Sequence, residues 1–129
     1  MAKRLSAPLE EVIENVSNPV SRIEPILTGL AASGPEEREE ASETIVDWLS
    51  TLTSSEASQV GAALVTVVLA ETDSTAKEAE LNALGELAGH GLLTRDDVLP
   101  LATLGRPTPG VTGREHLDYL NEEFELWSE

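Results

Sequence analysis

The chain has two imidazoles, His90 and His116, and no thiol, which leaves no disulfide framework and no thiolate chemistry. Glu86 and His90 stand four residues apart, a spacing that puts two ligands on one helix face. A zinc site needs three or four ligands. Gly89-His90-Gly91 reads instead as a helix end, where a histidine meets the negative pole of the helix dipole. Glu115-His116 lacks the His-Glu-x-x-His arrangement of a metalloprotease helix, and His116 reads as a surface residue of the last helix. Neither a Gly-x-Gly-x-x-Gly turn, nor a phosphate-binding Gly-x-x-x-x-Gly-Lys-Ser/Thr loop, nor a Gly-x-Ser-x-Gly elbow occurs. The serines read as caps and turns. No catalytic residue, metal ligand or cofactor is assigned, and the expectation is a protein that is not an enzyme.

Carboxylates are the abundant chemical group. An acid–base pair among them would need one member desolvated. Glu80 is the candidate, because at helical spacing it falls among Ala76, Ala83, Leu84 and Leu87, with Lys77 nearby. A partly buried Glu80/Lys77 ion pair that fixes helix packing is expected, since buried charges are normally paired. The alternative is a groove carboxylate for a partner's Lys or Arg. Two acidic surfaces stand out: Glu36, Glu37, Glu39, Glu40, Glu43 and Asp47 in one, Glu115, Asp118, Glu122, Glu123, Glu125 and Glu129 in the other. The second would lie near Glu71, Asp73 and Glu78 if the C-terminal helices stack on a central one. A charge run is commonly a solvated face. The partner-binding set expected here is Glu71, Asp73, Glu78, Glu115, Asp118, Glu122 and Glu123.

The elements that must position these groups read as helices throughout. The uncharged run from Gln59 to Ala70 is apolar on every side of a helix, so the expectation is a central helix enclosed by others. Val65, Thr66, Val67 and Val68 favour a strand locally, but no segment offers a strand partner. Ser6 with Pro8 opens a first helix carrying Leu9, Val12, Ile13 and Val16. A second follows Asn18-Pro19, with Pro25 kinking it or shifting its start. Ser33 and Glu36, Thr75 and Glu78, Thr94 and Asp97, and Thr112 and Glu115 have capping-box spacing. The last helix carries Leu117, Leu120, Phe124 and Trp127 on one side. These signals give an all-α fold of about seven short helices in one domain, residues 1–129, with residues 105–113 as its longest loop.

Composition narrows the partners. The 129 residues include 24 Asp and Glu against 8 Lys and Arg, for a formal net charge of −16. That excess argues against nucleic acid and anionic membranes, which are polyanions, and for a basic protein partner. Aromatics are 3% of the chain, so the core must come from Leu, Val, Ile and Ala. No apolar run approaches the roughly 20 residues of a membrane span, and a cytoplasmic protein is expected.

Residues 71–88, ETDSTAKEAELNALGELA, continuing into Gly91-Leu92-Leu93-Thr94, resemble one HEAT-like repeat helix. Helix starts near Pro19 and Ser55 lie at an interval near the repeat length of helical solenoids. The chain is similar to small acidic HEAT-like proteins of the bacterial toxin-immunity type. That resemblance implies helices stacked as antiparallel pairs in a right-handed array around the central helix. It also implies an immunity protein that neutralises a basic toxin domain, for instance a nuclease, with acidic side chains standing in for phosphates. The other expectation is a structural or adaptor protein that forms a weak homodimer through apolar helix faces.

Overall fold

The computed structural model describes residues 21–104 and 112–127. Six α-helices and two 3-10 segments form among the described residues, and no strand. The helix expected over residues 6–16 and most of the loop at 105–113 lie outside the described residues.

α1 spans Glu24–Leu30 and has Pro25 in its first turn, where a missing N–H costs nothing. Pro25 therefore shifts the helix start rather than kinking it. α2 spans Pro35–Asp47. Its N-cap is Gly34, with Pro35 at the first helical position, so the Ser33/Glu36 capping box does not form. The fixed φ of proline suits that first position and sets the start one residue later than Ser33 requires. α1 and α2 touch closely: a Cβ on Gly29 would come within 2.9 Å of the Ala41 Cβ.

A 3-10 turn at Leu49–Thr51 leads to α3, Ser54–Ala70. Thr53 and Glu56 close a capping box here, each accepting from the other's backbone N–H at 3.0 Å. Glu56 also receives Arg22 in a two-bond grip at 2.8 and 2.7 Å, and the Arg22 guanidinium lies 5.4 Å from the Trp48 ring centre. The strand-favouring Val65-Thr66-Val67-Val68 is helical, and Val65 and Val68 are buried. The expected enclosure of this helix is corrected by its surface. Ala62, Thr66, Leu69 and Ala70 are exposed, because α1, α4, α5 and the 3-10 segment after α5 leave that strip of α3 uncovered.

The enclosed helix is α4, Ser74–Gly89, which packs against α2, α3 and α6. Its N-cap is Asp73, which accepts from the Ala76 N–H at 2.9 Å, so Thr75 and Glu78 sit inside the helix rather than forming a capping box. Ala76 and Ala83, both fully buried, let neighbours approach, while Leu81, Leu84 and Leu87 fill the core. The helix ends as Gly89-His90-Gly91 implies. Gly91 takes φ +71°, and the N–H groups of Gly91 and Leu92 return to the carbonyls of Ala88 and Leu87.

α5, Arg95–Val98, starts at the expected Thr94/Asp97 capping box and passes into a 3-10 segment through Leu104. α6 spans Arg114–Phe124. Its N-cap is Gly113 at φ +77°, not Thr112, so the Thr112/Glu115 box is absent. Leu117 and Leu120 are buried, and Trp127 donates its indole N–H to the Ala102 carbonyl at 3.2 Å. One apolar cluster runs from Ile23 to Leu126. The all-helical fold of helices packed in pairs, α1 with α2 and α3 with α4, is the one expected.

Gly113 and Gly91 allow a test of the α4/α6 contact. A Cβ on Gly113 would collide with the Leu81 side chain, whereas one on Gly91 would meet open space. Gly91→Ala should cost only the left-handed backbone penalty, about 1–2 kcal/mol. Gly113→Ala should add overpacking, for a total of about 2–5 kcal/mol. Urea midpoints of the two variants check this, and equal losses would contradict the packing described.

Candidate functional site

Glu39 and Glu43 of the first acidic surface meet Glu78, a residue expected beside the second, on the seam between α2 and α4. A cleft of about 610 Å³ opens there. α2 contributes Glu39, Glu43 and Val46 to its wall, and α4 contributes Glu78, Ala79 and Asn82. Thr112 and His116, before and within α6, close its third side. His116 lies on the last helix at the surface as expected, 23% exposed, and its Nε2 lies 2.6 Å from Glu78 Oε2. This contact ties α6 to α4 at the rim of the cleft. His90 is the C-cap of α4, with Nδ1 3.0 Å from the Glu86 carbonyl, and so meets the dipole end.

The predicted partner-binding residues separate into three groups. Glu78 lines the cleft. Glu115, Asp118, Glu122 and Glu123 lie on α6 outside the cleft wall. Asp118 faces Arg114 at 3.5 Å, with both side chains nearly half exposed, a pairing of little strength. Glu71 and Asp73 serve the fold: Asp73 is the N-cap of α4, and the Glu71 side chain is 0% exposed. Placing Glu71 on a binding surface is therefore corrected. Glu39 and Glu43 are the cleft residues that the sequence reading assigned to the other acidic surface.

Glu71 belongs to a buried network on the same seam. Arg38 of α2 grips its carboxylate through Nε at 2.7 Å and Nη2 at 2.8 Å. Arg38 also donates through Nη1 to the carbonyls of Ala32 and Ser33, at 2.9 and 3.0 Å. Glu71 Oε2 accepts two backbone N–H groups as well, from Thr72 and Asp73. Hydrogen bonds from Arg38 hold the Glu71 carboxyl down at about 2.

Glu80 is the second carboxyl of this network. It is fully buried, and as a carboxylate neither oxygen has a hydrogen-bond partner. The expected Lys77 pairing is corrected: Lys77 is the weakest influence on Glu80, and the cation of the site is Arg38. Burial, followed by the neighbouring Glu71, pushes Glu80 up to about 9. At neutral pH it is a neutral acid whose O–H donates to Glu71. A neutral acid beside a carboxylate has the make-up of a catalytic pair. Neither side chain reaches solvent, however, so in this closed arrangement the pair meets no substrate.

No protein-family model matches the chain, and neither a curated protein nor a solved structure matches it.

The network sets a pH dependence of opposite sign on its two sides. The contribution of Glu71 is present above its ordinary value of 4.5 and is lost as pH falls toward about 2. That of Glu80 is complete below 4.5 and is lost as pH rises toward about 9, because the unfolded chain releases that proton earlier. The urea midpoint should therefore peak near 4.5 and decline on the alkaline side, by up to ~1.4 kcal/mol per pH unit from Glu80. Glu80→Gln should flatten that alkaline decline. A wild-type midpoint that stays level from about pH 5 to 8 would contradict a buried neutral Glu80.

Proposed function

We propose that the chain is a non-enzymatic binding protein for a cationic protein, of the toxin-immunity kind, and that it takes its partner in the cleft between α2, α4 and α6. The observation that carries this reading is the convergence of Glu39, Glu43 and Glu78 on one concave surface. The use of cations supports it. Arg22 is taken by Glu56, Arg38 by Glu71, Arg114 by Asp118, and Arg95 by the carbonyls of Phe124 and Glu125. Glu36, Glu37, Glu39, Glu40 and Glu43 of α2 have no basic partner among the described residues. A surface so left uncompensated steers a cationic partner and raises its association rate. A right-handed HEAT-like stacking of the pairs and a cytoplasmic setting go with this proposal. Among the described residues, no helix is long and apolar enough to cross a membrane.

The exposed strip of α3 favours a second reading, self-association as an adaptor. Leu69 is 40% exposed and continues the line of Ala62 and Thr66. Light scattering at ~100 μM separates the readings, since a monomer there excludes a micromolar dimer.

The test of the first reading starts with affinity purification from the native host and mass spectrometry, followed by titration with the purified partner. Affinity should fall steeply between about 0.05 and 0.5 M salt as screening shortens the reach of each charge. Joint reversal of Glu39→Lys, Glu43→Lys and Glu78→Lys should weaken binding at least tenfold, about 1.4 kcal/mol or more. Glu122→Lys with Glu123→Lys should change it little. The reverse outcome would move the interface to α6, and salt-independent binding would remove the electrostatic basis.

A further inference from the structure

The network on the α2/α4 seam holds two buried carboxyls and one guanidinium, and four of the guanidinium's five N–H donors are engaged away from Glu80. These four hydrogen bonds go to Glu71 and to the carbonyls of Ala32 and Ser33 in the turn between α1 and α2. Glu71 ends α3 and begins the three-residue link to α4, while Glu80 sits two turns into α4. The network therefore joins the α1/α2 turn, α2, the end of α3, and α4. A cleft of about 440 Å³ lies against it, with Ser33, Arg38, Thr66, Glu71 and Thr72 in its wall.

The other charges around Glu80 cannot replace the missing cation. On α4 itself, Asp73 is an acid committed to the helix N-terminus, and Lys77 makes no ion pair with Glu80. α3 brings one other acid, Glu56, at its opposite end and already held by Arg22. α6 brings His116, taken by Glu78, and Arg114, facing Asp118. One cation among two enclosed carboxyls leaves room for one negative charge, and the second carboxyl must carry a proton.

We propose that this corner is a proton-operated latch. The proton shared by Glu71 and Glu80 holds the α1/α2 pair against α4, and its loss releases that pair while α3 to α6 stay packed. Ionised Glu80 has no donor to meet it and repels Glu71, the group that anchors Arg38. The element that gives way is the one held through Arg38, and the adjoining cleft lets water in as it moves. The opening is local because α3 and α6 also contact α4 through buried apolar side chains, and α6 through the His116/Glu78 contact as well, none of which needs Arg38.

Amide hydrogen exchange of the full chain, read by mass spectrometry, tests the latch. Wild-type protein would be compared at about pH 6 and about pH 9, with labelling times scaled for intrinsic exchange. Protection in residues 35–47 should fall relative to residues 114–124, by up to about tenfold per pH unit over the range where the closed form still holds the proton, and level off above it. Glu80→Gln, which keeps the shape and a donor to Glu71, should hold that ratio constant. An unchanged ratio in the wild type, an even loss over all six helices, or the same shift in Glu80→Gln would each overturn the latch. Should Glu80→Gln fail to fold, carboxyl ¹³C NMR of the wild-type protein decides the matter. One glutamate titrating above about pH 7 is expected, and all glutamates titrating in the ordinary carboxylate range would overturn the proposal.

Discussion

A single guanidinium facing two buried carboxyls is the constraint on which the α2/α4 seam depends. Arg38 fixes the turn that precedes α2 and the link that precedes α4, so the two helices are positioned by the same side chain. Ion pairs removed from water add stability only when their geometry is very good and every remaining polar group is met. Glu71 satisfies that condition with four accepted hydrogen bonds. Glu80 satisfies it only by staying neutral. The seam then needs no further cation, in a chain that has few to give.

That scarcity organises the surface as well. The described arginines are engaged within the fold, mostly where one helix or turn must be held to another. The acids left over gather on α2 and on the outer faces of α4 and α6. Helix–helix attachment and the negative field outside are thus two results of one allocation. The cleft at Glu39, Glu43 and Glu78 is where the field becomes concave, and low-dielectric walls there concentrate it on an approaching cation.

Much of the fold was legible in sequence. Helical periodicity marked α2, α4 and α6, and glycine with a terminal histidine marked the end of α4. Caps were less legible, because Ser-x-x-Glu spacing recurs by chance in an acid-rich chain. Gly34 and Gly113 took the N-cap positions offered to Ser33 and Thr112, since proline phase in one case and a left-handed turn in the other set the helix start. The apolar run of α3 suggested a central helix, but hydropathy does not say how many neighbours come to cover it. In the structure it is α4, with Ala76 and Ala83 fully buried, that is approached from several sides. At the site, the burial of Glu80 followed from its helical phase, whereas its partner did not. Arg38 lies 42 positions away in sequence, and only tertiary packing brings it near. A lone arginine among Glu36, Glu37, Glu39 and Glu40 was the available signal, because a cation kept in such a run has a specific anion to meet.

The position of α4 has a consequence for synthesis. It packs on α2, which precedes it in the chain, and on α6, which follows it. An emerging chain therefore displays the apolar side of α2 before its main cover exists. With elongation at roughly 5–20 residues per second, the interval between the end of α2 and the end of α4 is a few seconds. During that time, among the described residues, α1 is the helix already made that packs on Ile45 and Ala41 of α2. The acids on the opposite side of α2 give the nascent segment a charged coat over the period when its apolar side is most open to wrong partners.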